Sequence, residues 1–186
     1  KDSFIIAEVI RFGRFSSTCL AEEDILSLRN LSRFRLFQVD MVSDLKRKVI
    51  SLLDQVFPEY AKLFSDTFGK SSLEILKEYS TPEEFLNVDT DYLAQTLAIA
   101  SKGRLGLSKA EQIQDAAANS FGIKLALDTF SFQIKQLIEQ IKFIEEHIVQ
   151  LEEQISILLK KLDTPIETIP GIGPVLGAII LSEIGD

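Results

Sequence analysis

The stretch LDTFSFQIKQLIEQIKFIEEHIVQLEEQISILLKKL, residues 127–162, decides the fold class. Leu127, Ile134, Ile141, Ile148, Ile155 and Leu162 recur at intervals of seven, and Phe130, Leu137, Ile144, Leu151 and Leu158 follow three places after the first five. A helix that buries one seam against another helix needs apolar residues at these heptad positions. The pattern predicts a coiled-coil helix over 127–163, and isoleucine at the first position with leucine or isoleucine at the fourth, in a parallel arrangement, leans toward two strands. Ile134, Leu137, Ile141, Ile144, Ile148, Leu151, Ile155 and Leu158 are then the dimerisation residues of a homodimer or higher homo-oligomer. The same stripe also suits a helix packed inside its own chain, against residues 24–56. Gln133, Gln140, His147 and Gln154 flank the seam without charge when the histidine is neutral, so partner choice and orientation stay open.

Working outward, residues 3–13 read as a short helix ended by Gly13. After a loop over 14–20, Glu22, Glu23 and Asp24 open a long helix, since acids favour a first turn. Leu28, Leu31, Val39, Val42, Leu45, Val49, Leu52 and Val56 carry it to the break at Pro58. The middle, 59–125, reads as shorter helices separated by Gly69, Pro82, Gly103, Gly106 and Gly122. Thr81 with Glu84 and Ser108 with Glu111 have capping-box spacing and mark two helix starts. No convincing strand pattern occurs, so the expected class is all-α, a helical bundle with one long coiled-coil helix.

Behind the coiled coil comes Ile169-Pro170-Gly171-Ile172-Gly173-Pro174, then the apolar run Val175–Ile180. Two glycines before a helix let backbone N–H groups approach a phosphate, which is how the second half of a helix-hairpin-helix module holds DNA. Gly171, Ile172 and Gly173 are the candidate contact residues. A plain interhelical turn uses Pro and Gly in the same way.

Composition narrows the classes. The formal net charge of −8 argues against a uniformly basic coat, so any nucleic-acid contact is local or completed elsewhere. One cysteine, Cys19, rules out an internal disulfide, and a single histidine, His147, leaves no Cys/His zinc set and no histidine triad. No apolar run reaches the roughly 20 residues a bilayer span needs, and no signal peptide opens the chain, so a cytoplasmic location is expected. Bases do cluster: residues 26–48 hold Arg29, Arg33, Arg35, Lys46, Arg47 and Lys48 against Asp40 and Asp44. With Arg11, Arg14, Lys102 and Arg104 they are candidate phosphate contacts, or else a solvated helix face and simple turns.

These pieces, in this order, resemble the DEDD transposases of bacterial insertion sequences, a family related to Piv invertases and RuvC-type resolvases. The matching residues are Lys1-Asp2-Ser3 with Gly13-Arg14, Leu28–Arg33, Gly103–Gly106, the coiled coil, and Ile169–Pro174. The resemblance implies four segments: 1–20 as the tail of a RuvC-like nuclease domain, 21–126 as a helical linker region, 127–163 as the coiled coil, and 164–186 as the start of a C-terminal transposase domain. It implies that Asp2 is the last acid of a tetrad holding divalent metal (Mg) for DNA strand cleavage and joining, the other acids lying upstream and a serine nucleophile downstream. DNA, and a guide RNA, are the implied partners.

The chain therefore reads as an internal piece of a transposase that assembles subunits and positions nucleic acid, inactive by itself. The competing readings are a coiled-coil interaction scaffold without nucleic-acid activity, and a helix-hairpin-helix accessory domain of a repair nuclease.

Overall fold

The computed structural model describes residues 2–13 and 23–184, and its regular structure there is helical throughout, as the periodicity requires. In chain order the helices are α1 (Asp2–Arg11), α2 (Glu23–Val56), α3 (Lys70–Glu78), α4 (Pro82–Asn87), α5 (Thr90–Ser101), α6 (Leu107–Ala118), α7 (Leu127–Lys161) and α8 (Pro174–Ile184). Short 3-10 turns at Pro58–Lys62 and Pro165–Thr168 follow α2 and α7. Among the described residues no helix is long and apolar enough to cross a membrane.

The chain forms two compact units, and the two long helices supply residues to both. The larger comprises residues 34–153. Its core joins Val49, Leu52, Leu53 and Val56 of α2 to Leu93 and Leu97 of α5, Ala110 and Ile113 of α6, and Ile134, Ile138 and Ile141 of α7. An aromatic cluster sits within it: the Phe57 ring lies 5.7 Å from both Tyr60 and Phe85. The buried Tyr60 hydroxyl lies 3.0 Å from the hydroxyl of Ser72 and donates to its carbonyl at 3.2 Å. Burial leaves its phenol far harder to ionise than in water.

Helix α4 is anchored at both ends. The expected capping box forms at its start, with Thr81 accepting from the Glu84 N–H and Glu84 accepting from Thr81. The Glu84 carboxylate also accepts from Ser131 and Lys135 of α7, each at 2.7 Å. At the other end the Gln114 amide of α6 donates to the carbonyls of Phe85 and Val88 at 3.0 and 2.8 Å, satisfying groups a helix C-terminus leaves open.

The expected second box does not form. Helix α6 is capped at Gly106, with no side-chain hydrogen bond, so Ser108 lies inside the first turn instead of ahead of it. Its spacing to Glu111 is right, but the chain enters the helix two residues early.

The smaller unit comprises residues 1–33 and 154–186. Its core is Ile25 and Leu28 of α2, Ile155 and Leu159 of α7, and Ala178 and Leu181 of α8. Phe4, Ile5, Ile6 and Ile10 of α1 are exposed. Gly13, at φ +60°, follows that helix as expected.

Both cores draw on the heptad stripe of α7, but its buried line is shifted. Ile134, Ile141 and Ile155 are buried, and so are Ser131, Ile138 and Leu159, each four residues after a first heptad position. Leu137, Ile144, Leu151 and Leu158 are only partly buried. A face of this kind belongs to a helix of ordinary 3.6-residue period lying on a globular core.

Candidate nucleic-acid interface

The turn before α8 sits at the surface of the smaller unit. Gly171 has φ +88°, a conformation L side chains rarely adopt, which explains that glycine by backbone geometry. Gly173 differs: its φ is not positive, and a Cβ there would meet nothing within 4 Å. The fold itself does not demand glycine at 173. A third glycine, Gly177, is packed close, since a Cβ would lie 3.1 Å from Ile166 and 3.5 Å from Ile172 and Leu159. Ile172 thus turns toward α8, while Gly171 and Gly173 are exposed. Pro174 occupies the first helical position and has no N–H, so Val175 and Leu176 carry the open first-turn donors. An anion reaching this turn would meet backbone donors and little steric hindrance.

The far end of α8 is held by two of the candidate phosphate-binding arginines. Arg29 donates through Nε to the Ser182 carbonyl at 2.6 Å. Arg33 donates through Nε and Nη2 to the two carboxylate oxygens of Glu183, both at 2.8 Å. That paired hydrogen bond holds the Glu183 carboxyl below its ordinary range. Helix α8 has no basic residue in its last turn, so these arginines supply the positive charge its C-terminus favours.

Three more bases of the α2 stripe are also paired. Arg35 donates to Glu152 at 2.8 and 2.6 Å, Lys46 to Glu145 at 2.7 Å, and Arg47 to Asp44 one turn away. Arg33, Arg35, Lys46 and Arg47 thus already have carboxylates, which lowers the positive potential the stripe presents. The signal for these pairs is absent from any local window, because Glu145, Glu152 and Glu183 lie about a hundred or more positions away along the chain.

The Lys102–Arg104 loop presents its charge differently. Lys102 ends α5 in the left-handed conformation, Gly103 follows at φ +81°, and both Lys102 and Arg104 are exposed. Arg104 Nε donates to the Ser101 carbonyl at 3.2 Å. The fold brings Lys70 to the same cleft, a residue for which the sequence pattern gives no cue.

Arg11 is exposed in the last turn of α1. Arg14 and the Asp2 side chain lie outside the described residues. Among those described, no three His, Cys, Asp or Glu side chains stand close enough to hold a metal ion.

Residues 1–58 match the DEDD transposase family typified by IS110, described as transposase. Across its whole length the chain is similar to the insertion element IS116 uncharacterized 44.8 kDa protein of Streptomyces clavuligerus, with 26% identity over 192 aligned positions. The alignment covers 100% of this chain and 47% of that protein, so the chain spans about half the length of the relative.

Proposed function

We propose that this chain, similar over residues 1–58 to the DEDD transposases of insertion sequences, serves DNA transposition by positioning nucleic acid and assembling subunits. The observation that carries the nucleic-acid half is the exposed Gly171-Ile172-Gly173 turn before α8, where Gly173 has neither a backbone nor a packing reason to be glycine. Close approach of a phosphate to the backbone supplies one. The partners are DNA and, by family resemblance, a guide RNA. Strand cleavage and joining need Mg held by Asp2 together with acids outside this chain, so that activity belongs to a longer protein working in the cytoplasm. The segments 1–20, 21–126, 127–163 and 164–186 are the corresponding nuclease tail, linker, coiled coil and start of the transposase domain.

For assembly we propose a homodimer with α7 as the contact element. Because Ile134, Ile141 and Ile155 are spent inside the chain, the partner would meet the half-buried Leu137, Ile144 and Leu151 and the exposed Phe143. Light scattering checks this directly, and a monomer at high concentration refutes it.

An interaction scaffold without nucleic-acid activity is the second reading, favoured by the internal pairing of Arg29, Arg33, Arg35, Lys46 and Arg47. Binding to labelled DNA and RNA across a salt series separates the two. The nucleic-acid reading expects binding that weakens with salt and is lost on Gly173→Val with helicity unchanged. Absence of binding at low salt leaves the scaffold.

A further inference from the structure

We propose that the cleft between the Phe64–Ser72 segment and the α5–α6 loop docks the phosphodiester backbone of a nucleic acid. The inference rests on the nucleic-acid reading above, but the cleft belongs to the larger compact unit and the Gly171–Gly173 turn to the smaller.

The cleft encloses about 350 Å³, and its wall includes Lys70, Lys102 and Arg104. These three cations differ from Arg33, Arg35, Lys46 and Arg47 of α2. None of them is paired to a carboxylate among the described residues, whereas Arg33, Arg35, Lys46, Arg47, Lys77 and Lys135 all are. On a chain with net charge −8, three cations outside any ion pair and only one acid in the wall of one concavity make a local site of the sign that polyanions require. Asp66 is the one acid in the wall, and its Oδ1 accepts the Phe68 N–H at 2.9 Å.

The backbone adds donors on the same side. Gly69, Lys70, Ser71 and Ser72, the start of α3, line the cleft. Gly69 caps that helix without a side-chain hydrogen bond, and its first turn contains no acid. The open N–H groups and dipole there add to the three side chains. A fourth cation, Lys109, lies 5.1 Å from the ring of Phe64 at the cleft's edge and is held there by Gln112 at 2.8 Å. The width of a single cleft suits one stretch of backbone, and lysines and an arginine on exposed positions read charge instead of base sequence.

The test compares two charge-matched variants of the 186-residue chain by fluorescence anisotropy with single-stranded DNA, RNA of the same sequence, and duplex DNA. One carries Lys70→Glu, Lys102→Glu and Arg104→Glu; the other carries Lys124→Glu, Lys160→Glu and Lys161→Glu, all exposed. The cleft variant should bind at least about tenfold more weakly, with a salt slope smaller by about 2, as expected for three lost phosphate contacts on a single strand. The control variant should keep most of the affinity, and circular dichroism should show equal helicity for both. The arm with the largest difference identifies DNA or RNA as the source of the phosphate. Equal losses in both variants, or none in either, overturn the cleft while leaving the nucleic-acid reading intact. A wild-type chain that binds none of the three probes at low salt overturns the nucleic-acid reading and the cleft with it.

Discussion

Arg33 and Glu183, 150 positions apart, join head to head, both guanidinium donors reaching both carboxylate oxygens at 2.8 Å. With Arg29 on the adjacent Ser182 carbonyl, the pair fastens the last turn of α8 to α2 within the smaller unit. Both side chains are exposed, so the pair acts on local order more than on global stability. Glu183→Gln should speed amide hydrogen exchange in the last two turns of α8 while leaving the urea midpoint nearly unchanged. Exchange identical to wild type there would show that the apolar contacts of Ala178 and Leu181 suffice without the clamp.

Glu84 makes the larger unit acid-sensitive. Burial alone would raise its carboxyl, but Lys135, the Ser80 N–H and Ser131 outweigh that and leave the group below its ordinary value. A carboxyl depressed in the folded state contributes stability above its unfolded pKa, about 4.3, and loses it as pH falls through the folded value. Wild-type urea midpoints should drop between neutral pH and acid, and Glu84→Gln should flatten that drop. At neutral pH the substitution should cost about 1–2 kcal/mol through the lost charge on hydrogen bonds to Lys135 and Ser131, since glutamine still accepts the cap's N–H. A Glu84→Gln profile that parallels wild type would remove this carboxylate as a cause.

Gly122 is held against α2 by lack of space. A Cβ there would lie 2.0 Å from the Val56 carbonyl oxygen, which is backbone and has no rotamer to yield. The neighbouring Ile123 N–H donates to the Gln55 carbonyl at 2.8 Å and fixes the approach. Gly122→Ala should destabilise by roughly 1–3 kcal/mol or more, as overpacking does. Thermal unfolding checks it; a melting temperature within error of wild type would show that the segment can move away freely.

Ile141 tests where the heptad stripe is used. It is 1% exposed inside the core of the larger unit. Ile141→Ala should cost about 2–5 kcal/mol, and the loss should be the same at every protein concentration, since the cavity opens within one chain. A loss that grows on dilution would place this side chain at a subunit interface.

The helices were legible because their signals are local. The α7 stripe, the uninterrupted run from Asp24 to Val56 and the Thr81–Glu84 box each lie within a window of one helix, where spacing and capping act through neighbouring backbone. Ser108 and Glu111 carry the same spacing yet do not cap, because the chain becomes helical already at Leu107. The candidate site was partly legible. Glycine at 171 and 173 stands out in the sequence, but only the backbone angles and the space around each separate a glycine needed for its φ from one with no internal need.

By itself the sequence determined that this protein is helical, where its long helices run, which face of α7 is apolar, and its likeness to insertion-sequence transposases. Tertiary structure decided what meets those faces. It buried Ile134, Ile141 and Ile155 within the chain, paired Arg29, Arg33, Arg35 and Lys46 with groups far along it, and brought Lys70, Lys102 and Arg104 together outside any ion pair. The physical reason is that periodicity and capping act over one or two turns of backbone. Burial and ion pairing act through space, between residues whose meeting no local spacing records.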